Sequence, residues 1–262
     1  MDTLQTLLIE KIAITKDQLL RRVTGEDLLI PDNCTELIIP FKNTIAVQLL
    51  GMVRKVALKK GRCYLVRPRG RAMNVFGCSS YALIKCHAAY SKDMIKGLHE
   101  ISHGIYEVQL TSSEIDGIMK CVEYRDQYGM NILLEDFFDL AYKKPNAVIL
   151  NALEMIHETL GTIAIKDIYA ELSISKSTLE QRFAKDIGLT PKEFCKIEKL
   201  KHFIRTYCAN IEQSLTEITY QCGYYDQSHL IKDFNYFLNM SPRVFFRNFC
   251  KNLSYQKARV SG

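Results

Sequence analysis

A segment near the end of this chain occurs twice, and the two copies lie 51 residues apart. The pairs at this offset are Ser175 and Asp226, Leu179 and Leu230, Phe183 and Phe234, Gly188 and Asn239, Thr190 and Ser241, and Pro191 and Pro242. Self-similarity at a fixed spacing indicates two copies of one supersecondary unit. Two copies are too few for a solenoid, so the repeat predicts one small unit that is used twice.

The first copy predicts two short helices joined by a tight turn. Apolar residues at helical spacing indicate an amphipathic first helix: Ile165, Ile168, Tyr169 and Leu172. Ser175 can cap the second helix by accepting a backbone N–H bond, and Gly188 is suited to end it in the left-handed conformation. Leu179 and Phe183 of the second helix are expected to point inward, toward the first.

The second copy repeats this arrangement. Ser214 and Glu217 form a capping-box pattern at the start of a helix that leads to a turn at Gly223. Asp226 is expected to cap the next helix, and Asn239 replaces the helix-ending glycine because Asn tolerates the left-handed region. Each copy therefore predicts a helix-turn-helix unit. The predicted core of the two units is Ile168, Leu172, Leu179, Phe183, Gly188 and Pro191, and then Ile218, Gly223, Leu230, Phe234 and Pro242.

A single helix is predicted to join the two units. Thr190 and Glu193 form a second capping box, with Pro191 at the first helical position. Helical periodicity continues to about Tyr207, and roughly 17 residues span about 25 Å. Once the body of each unit is added, the two second helices are separated by an amount compatible with one turn of B-DNA, roughly 34 Å. Both could then enter successive major grooves on one face of a duplex.

The outward side chains of the two second helices are the candidate DNA contacts. They are Lys176, Ser177, Gln181 and Lys185 in the first copy, and Gln227, Ser228 and Lys232 in the second. Gln can pair with adenine, and Lys can contact guanine or phosphate. An ordinary solvated helix face is the alternative, which the duplication makes the weaker interpretation. Glu180 is left out because its carboxylate repels phosphate, and His229 lies at the edge of the face.

On these residues the chain resembles the DNA-binding domain of the AraC/XylS family of bacterial transcriptional regulators. The resemblance covers residues 147–250, about two-fifths of the chain. The matching residues, in the family's order and spacing, are Ile168, Ser175, Leu179, Phe183, Gly188, Pro191, Ile218, Gly223, Asp226, Leu230, Phe234 and Pro242. Tyr169 and Thr219 depart from the usual Ala of each first helix. Lys199 stands where the joining helix commonly has Arg, and Leu230 where an aromatic residue is usual.

The resemblance implies a sequence-specific DNA-binding transcription regulator whose N-terminal domain senses an effector or dimerises. Activation is the commoner mode in this family, although no residue here distinguishes it from repression. The implied partners are double-stranded promoter DNA and RNA polymerase. A small-molecule effector and a homodimer are further partners that the family allows, and no cofactor is implied.

The N-terminal half predicts a small β-barrel or sandwich. Short apolar or alternating runs occur at Glu36–Phe41, Thr44–Leu50, Cys63–Val66 and Tyr81–His87, with turn-forming residues between them. The stretch Leu29–Ile38 resembles the start of the cupin-like sensor region of some AraC-type regulators.

Helical periodicity follows from Ser113. Its apolar stripe comprises Ile115, Ile118, Met119 and Val122, and then, after Gly129, Leu133, Phe137, Leu140 and Ala141. The stripe is either a dimerisation surface, as the family implies, or a packing face against the barrel. The charged, proline-broken Lys143–Asn146 is the predicted boundary. The chain is thus expected to be α+β, with a regulatory barrel domain at 1–145 and an all-α DNA-binding domain at 146–262.

Charge is a weak guide to function in this chain. The net charge is +6 and the sequence pI is about 8.7. Residues 1–145 carry 20 basic and 17 acidic side chains, and residues 146–262 carry 15 and 12, so the surplus is not concentrated in the predicted DNA-binding half. A strong charge signal needs clustering or a pI above about 9.

Cysteine usage and hydropathy indicate an intracellular setting. The nine cysteines contain no C-x-x-C pair, which favours reduced thiols over a disulfide framework or a zinc site. The first residues lack a signal-peptide pattern, and no apolar run approaches the roughly 20 residues of a membrane span. These observations predict a soluble, cytoplasmic protein with no membrane partner.

Two further clusters are candidates for chemistry. Arg67, Arg69 and Arg71 alternate, which on a strand places them on one face; a solvated edge strand is favoured over an anionic effector site. His99 and His103 stand four apart, but the neighbouring glycines argue against a metal-binding helix. The chain is therefore expected to have no catalytic or metal site. The alternative is a cupin-type enzyme with an attached helical domain, which requires a metal cluster. A second alternative is a scaffold that no longer contacts DNA, because both second helices are sparse in basic residues.

Overall fold

The computed structural model describes residues 20–67, 69–89, 95, 97–124, 126–137, 146–210 and 212–248. Within these ranges, eight antiparallel strands form one sheet. They are β1 (Leu20–Leu29), β2 (Thr35–Pro40), β3 (Ile45–Leu49), β4 (Val56–Leu58), β5 (Cys63–Val66), β6 (Met73–Cys86), β7 (Leu98–Ser102) and β8 (Ile105–Val108). Their order is β4-β3-β6-β2-β5-β8-β7, and β1 pairs with β6.

The long strand β6 organises this sheet. It pairs with β1 over the whole length of β1, with β3 through its first residues and with β2 through its last. Gly77 lies between the stretches that pair with β3 and with β2, and its φ of 135° is a conformation that side-chain-bearing residues rarely adopt. A glycine of this kind allows a strand to bend, and the sheet closes into a nearly complete barrel.

Both faces of the sheet are buried. Ile38 of β2 belongs to an apolar cluster made of strand residues alone, whereas Leu37 and Ile39 belong to a cluster that also contains helix residues. Successive side chains of a strand point to opposite faces. The first cluster therefore fills the barrel interior, and the second joins the barrel to the helices.

Nine helices follow in the described parts of the chain. They are α1 (Ser112–Tyr124), α2 (Gln127–Phe137), α3 (Ala147–Glu158), α4 (Ile165–Glu171), α5 (Lys176–Arg182), α6 (Pro191–Ala209), α7 (Leu215–Gln221), α8 (Gln227–Leu238) and α9 at 242–248. A π-helical turn, Phe183–Ile187, continues α5. Among these helices, none combines the length and apolar character that a bilayer crossing requires.

The predicted fold class, a barrel domain followed by an all-α domain, is confirmed. Strand β5 has the predicted bounds, and β2 and β3 differ from theirs by a residue at each end. The predicted strand Tyr81–His87 is only the second half of β6. Strands β1, β4, β7 and β8 were not predicted.

The apolar stripe of the N-terminal helices packs inward. Ile118 and Val122 are buried, and Leu133 and Phe137 pack against the same apolar cluster as the barrel residues. This is the packing interpretation of the stripe rather than a free dimerisation surface. Gly129 lies inside α2 rather than before it, while Leu140 and Ala141 lie outside the described residues.

The arginine triplet does not form an edge strand. Arg67, Arg69 and Arg71 lie in the segment between β5 and β6. Arg69 is buried and pairs with the buried carboxylate of Glu36, so the expectation of a solvated strand face is wrong. This connection between two barrel strands buries one arginine and leaves its neighbours nearer the surface.

The barrel and the helical domain are packed together through polar as well as apolar contacts. Asn33 donates from its side-chain amide to the Phe194 carbonyl oxygen and to the Glu198 carboxylate, at 2.9 and 3.0 Å. Lys201 donates to the Asp32 carbonyl oxygen and to the same Glu198 carboxylate, both at 2.7 Å. The predicted boundary at Lys143–Asn146 lies mostly outside the described residues; Asn146 itself caps α3.

These contacts set a pH dependence of stability. Burial opposes ionisation of Glu198, but hydrogen bonds from His157, Lys201 and Asn33 together with the Lys201 charge lower its pKa to about 2. A carboxylate with a depressed pKa stabilises the fold above its unfolded pKa, and this stability is lost as the pH falls through the folded value.

We expect Glu198→Gln to lower the free energy of unfolding near pH 7 by about 2–3 kcal/mol. The difference from the unsubstituted protein should shrink as the pH falls from about 4.5 toward 2, measured by urea unfolding at a series of pH values. Glu158→Gln, at an exposed site on α3, is the control and should have little effect at any pH. If the loss of unfolding free energy in Glu198→Gln stays constant down to pH 2, the pKa of Glu198 is not lowered in the folded protein.

Gly161 lies where the turn after α3 meets α6. Its φ is +76°, and a Cβ there would stand 2.1 Å from the Cys195 carbonyl oxygen, which is backbone and cannot move aside cheaply. Gly61 also has a positive φ, +68°, but a Cβ there meets nothing within 4 Å.

We expect Gly61→Ala to cost about 1–2 kcal/mol of stability from backbone strain alone. Gly161→Ala adds a steric clash and should cost a further 1–3 kcal/mol or so, measured by thermal or urea unfolding. Equal losses in the two variants would show that α6 does not approach the turn this closely.

Candidate nucleic-acid interface

The first helix-turn-helix unit is built as its sequence predicts. Ser175 caps α5 and its side chain accepts from the Thr178 backbone N–H. Ile168, Leu179 and Phe183 are fully buried between α4 and α5, and Leu172 is partly buried beside them. This packing fixes the angle between the two helices and leaves the opposite face of α5 toward solvent.

The second helix of this unit ends in a π-helical turn that the sequence did not predict. The Gly188 N–H donates to the Phe183 carbonyl oxygen, five residues back, and Gly188 has the predicted left-handed conformation with a φ of 90°. A Cβ at Gly188 would lie 2.9 Å from the Arg67 guanidinium carbon. Glycine is therefore favoured here by the backbone conformation, while the Arg67 side chain, which is flexible, approaches it closely.

The second unit follows the same plan. Ser214 and Glu217 make both bonds of the capping box at α7, and Asp226 caps α8 by accepting from the His229 N–H at 2.8 Å. The buried core residues Ile218, Leu230 and Phe234 pack between the two helices, and Pro242 is buried in α9. Gly223 and Asn239 have positive φ angles of 75° and 54°, so the predicted exchange of Asn for Gly is confirmed.

The joining helix α6 holds each unit through an aromatic contact. It has the predicted capping box and Pro191, and its 19 residues span about 28 Å. Phe183 meets Phe194, and its repeat partner Phe234 meets Phe203, with ring centroids 6.0 and 5.9 Å apart. Phe194 and Phe203 are nine residues apart, which at 3.6 residues per turn places them about 180° apart around α6 and about 14 Å along it. The two units thus pack on opposite sides of α6.

Two cationic side chains of α6 contact the second unit. Lys196 pairs at 2.7 Å with Asp233, a buried residue of α8. The Lys199 ammonium stands 4.5 Å from the ring centroid of Tyr224, which belongs to the turn between α7 and α8. The position of the exposed face of α8 is therefore fixed from inside the domain.

The predicted contact residues lie on the outer faces of α5 and α8 and their continuations. Lys176, Ser177, Gln181, Lys185, Ser228 and Lys232 are exposed, and Gln227 is half-buried. Gln181 is within 3.4 Å of the Ser177 hydroxyl, and Gln227 donates at 2.6 Å to the Thr216 hydroxyl of α7. Lys176 lies 3.7 Å from Glu180, so part of its charge is compensated locally. Both glutamines are thereby pre-oriented on their helices.

One exposed aromatic residue of this surface was missed from the sequence. Tyr225 immediately precedes the α8 cap, is 82% exposed, and meets the His229 ring edge-on at 5.9 Å. Its repeat counterpart Ile174 is half-buried. The sequence signal for Tyr225 was that it is aromatic, whereas the equivalent residue of the first copy, Ile174, is aliphatic.

Together these features define a β-barrel followed by a pair of helix-turn-helix units on a shared helix. Residues 168–248 match a family model described as a helix-turn-helix domain. The transcriptional activators RhaS of Shigella boydii serotype 18 and of Escherichia coli K12 are each 33% identical over 76 residues, which is 28% of this chain and 26% of each of those proteins. The chain thus matches about a quarter of the length of these relatives. Over residues 168–248 the chain is therefore similar to a helix-turn-helix domain and to part of these activators.

Solved structures show the same fold over most of the chain. A structure of ToxT from Vibrio cholerae has a TM-score of 0.58 at 12% identity and covers 86% of this chain and 96% of its own. A second, the unsaturated fatty acid bound wild-type ToxT, has a TM-score of 0.56 at 13% identity and covers 87% and 94%. Both domains and their order are therefore shared with ToxT.

The ion pair of Lys196 with Asp233 gives a test of how α8 is held. We expect Lys196→Met to cost about 1–2 kcal/mol, because it strands the buried Asp233 carboxylate while solvent screens part of the lost attraction. Lys192→Met, at an exposed site one turn earlier on α6, is the matched control and should be nearly neutral by urea unfolding. If the two variants lose the same stability, the pair does not hold α8.

Proposed function

We propose that this protein is a sequence-specific DNA-binding regulator of transcription, with α5 and α8 as its two reading helices. The observation that carries the proposal is the pair of helix-turn-helix units on opposite sides of one helix, each with a polar outer face. A recognition helix enters the major groove with residues near its N-terminus against the base edges. In this chain those residues are Lys176 and Ser177 in α5, and Gln227 and Ser228 in α8.

The proposed contacts differ in the groups of DNA that they bind. Gln181 and Gln227 read adenine, because an amide pairs with its N6 and N7 atoms. Lys176, Lys185 and Lys232 contact guanine or phosphate, and the two serines bond to either. Tyr225 adds apolar contact at the edge of the second site. Since one helix joins the two units, we infer that the two reading helices bind half-sites one helical turn apart, about 10–10.5 bp.

We further propose that the protein acts as an activator that positions RNA polymerase. The name of the RhaS relatives, transcriptional activators, supports this mode. A small-molecule effector is proposed for the barrel domain, in line with the unsaturated fatty acid bound to ToxT. A second copy of the chain is a further proposed partner, since α1 and α2 expose Tyr124, Tyr128 and Ile132. The comparisons point to transcription regulation rather than to a cupin-type enzyme.

The intact protein should select duplexes from a random-sequence library. We expect the enriched sites to contain two conserved half-sites about one turn apart, with adenine at the position that Gln181 reads. Gln181→Ala should lose that preference, at about 1–3 kcal/mol for the correct base. Lys232→Ala should weaken binding to all sequences alike and reduce the salt slope by about one. Fluorescence anisotropy at several salt concentrations measures both effects.

Lys60→Ala, an exposed lysine in the barrel domain, is the control and should leave affinity and salt slope unchanged. Unchanged selection and affinity in both Gln181→Ala and Lys232→Ala would instead favour the scaffold that retains the fold without contacting DNA. A metal bound in stoichiometric amount to the purified protein would favour the enzyme alternative.

A further inference from the structure

The outer face of α8 carries one apolar side chain among its polar ones. Ile231 is 37% exposed, and Ser228 and Lys232 are exposed beside it, with Gln227 one turn earlier in the helix. Neither of the two apolar clusters in the described part of the chain includes Ile231. Single apolar residues at a surface are common, so exposure alone points to no partner. The position of Ile231 in the repeat, however, places it among the proposed base contacts.

Ile231 is the repeat counterpart of Glu180. The two residues lie 51 apart, and each directly follows a fully buried leucine, Leu230 in α8 and Leu179 in α5. Because these leucines pack inward in both units, the side chains of Ile231 and Glu180 leave their helices in equivalent directions. Ile231 therefore belongs to the reading face of α8 as Glu180 belongs to that of α5.

The two helices present different chemistry at this equivalent place. In α5, Glu180 lies 3.7 Å from Lys176, so the pair is charged. Its counterpart in α8 is the uncharged pair Gln227 and Ile231, also four residues apart. The Glu180 carboxylate repels phosphate, whereas an isoleucine side chain neither repels phosphate nor needs a hydrogen-bond partner. The half-sites that α5 and α8 bind should therefore differ in sequence.

The stability of α8 does not explain an isoleucine at this place. Ile has a lower intrinsic helix propensity than Glu or Ala, and Ile231 buries little surface against its own unit. A β-branched side chain in a helix is largely confined to one χ1 rotamer, so its methyl groups are held in position without a neighbour. Such a side chain is suited to contact an apolar group on a partner.

The major groove of DNA offers one apolar group on its base edges, the C5 methyl of thymine. Gln227 uses one N–H of its amide for the Thr216 hydroxyl, at 2.6 Å, and keeps the other N–H and its carbonyl oxygen for N7 and N6 of adenine. Four residues of helix span about 6 Å, which is about two base-pair steps. A methyl group close to that adenine is therefore within the range of Ile231.

We propose that Ile231 reads a thymine methyl group in the half-site of α8, within about two base pairs of the adenine that Gln227 contacts. This specificity residue rests on the proposed function, because α8 must be a reading helix. Glu180 cannot make the same contact, so the thymine preference is confined to one of the two half-sites. The full site is then directional, and it fixes which way round the protein lies on the duplex.

Deoxyuridine tests the contact, because it pairs as thymidine does and lacks only the methyl group. In the duplex that the intact protein selects from a random library, each thymine is replaced in turn and the affinity is measured by fluorescence anisotropy. We expect one replacement to weaken binding about three- to ten-fold, the effect of one lost methyl contact. This thymine should lie in the half-site whose adenine preference is lost in Gln227→Ala. Replacement of the other thymines should change the affinity by less than about two-fold.

Variants at Ile231 assign that effect to one side chain. Ile231→Ala should bind the thymine duplex about three- to ten-fold more weakly and should bind the thymine and uracil duplexes equally. Alanine is the best helix former, so α8 should remain folded. Ile231→Val keeps a β-branched apolar side chain and should keep most of the preference for thymine. Val244→Ala is the matched control, at a similarly exposed apolar residue of α9 (41%), and should keep the affinity and the full preference.

The outcomes separate this contact from the proposed function. If the protein selects a site but no deoxyuridine weakens binding, or the half-site of α8 contains no thymine, Ile231 does not read a methyl group, although the protein binds DNA. The same holds if the deoxyuridine effect persists in Ile231→Ala. Unchanged affinity of Ile231→Ala would show that Ile231 belongs to a surface that DNA does not touch. If no duplex is selected at all, the proposed function fails and the thymine contact fails with it.

Discussion

The packing of two phenylalanines against one helix determines most of the helical domain. Phe183 and Phe234 are equivalent residues of the repeat, and each meets a phenylalanine of α6 at nearly the same distance. Burial of an aromatic side chain is worth several kcal/mol, whereas the exposed faces of α5 and α8 contribute little to stability. The relative placement of the outer faces of α5 and α8 is therefore set by buried side chains.

The helical domain could be predicted from sequence far better than the barrel, because its helix boundaries are set by residues close together in the chain. Caps and left-handed turns act within a few residues, so Ser175, Thr190, Ser214 and Asp226 marked their helices directly. Strand β1 carries Thr24, Gly25, Glu26 and Asp27 and shows no apolar run. Its ten pairs with β6 are contacts over 50 or so residues of chain, and no local pattern reports them.

In the candidate site, too, the features set by local sequence were predictable and those set by distant contacts were not. The outer faces of α5 and α8 followed from helical periodicity, because a buried pair at i and i+4 fixes which residues point outward. The roles of Lys196 and Lys199 did not follow, since their partners Asp233 and Tyr224 lie on another helix and in another turn. A count of basic residues on α6 overstates the charge that is offered to DNA. The π-helical turn before Gly188 also had no sequence signal.

In the segment between β5 and β6, the fold and not the charge pattern determines what each arginine contacts. Arg67, Arg69 and Arg71 alternate in sequence, yet each has a different partner: a helix-end carbonyl, a buried carboxylate and an aromatic ring. Arg69 and Glu36 are buried as a pair, and removing either would strand the charge of the other. Arg67 lies against Gly188 at the end of the first reading helix. Arg67 therefore links the barrel to the end of the π-helical turn that continues α5, through the Lys185 carbonyl oxygen and the close approach to Gly188.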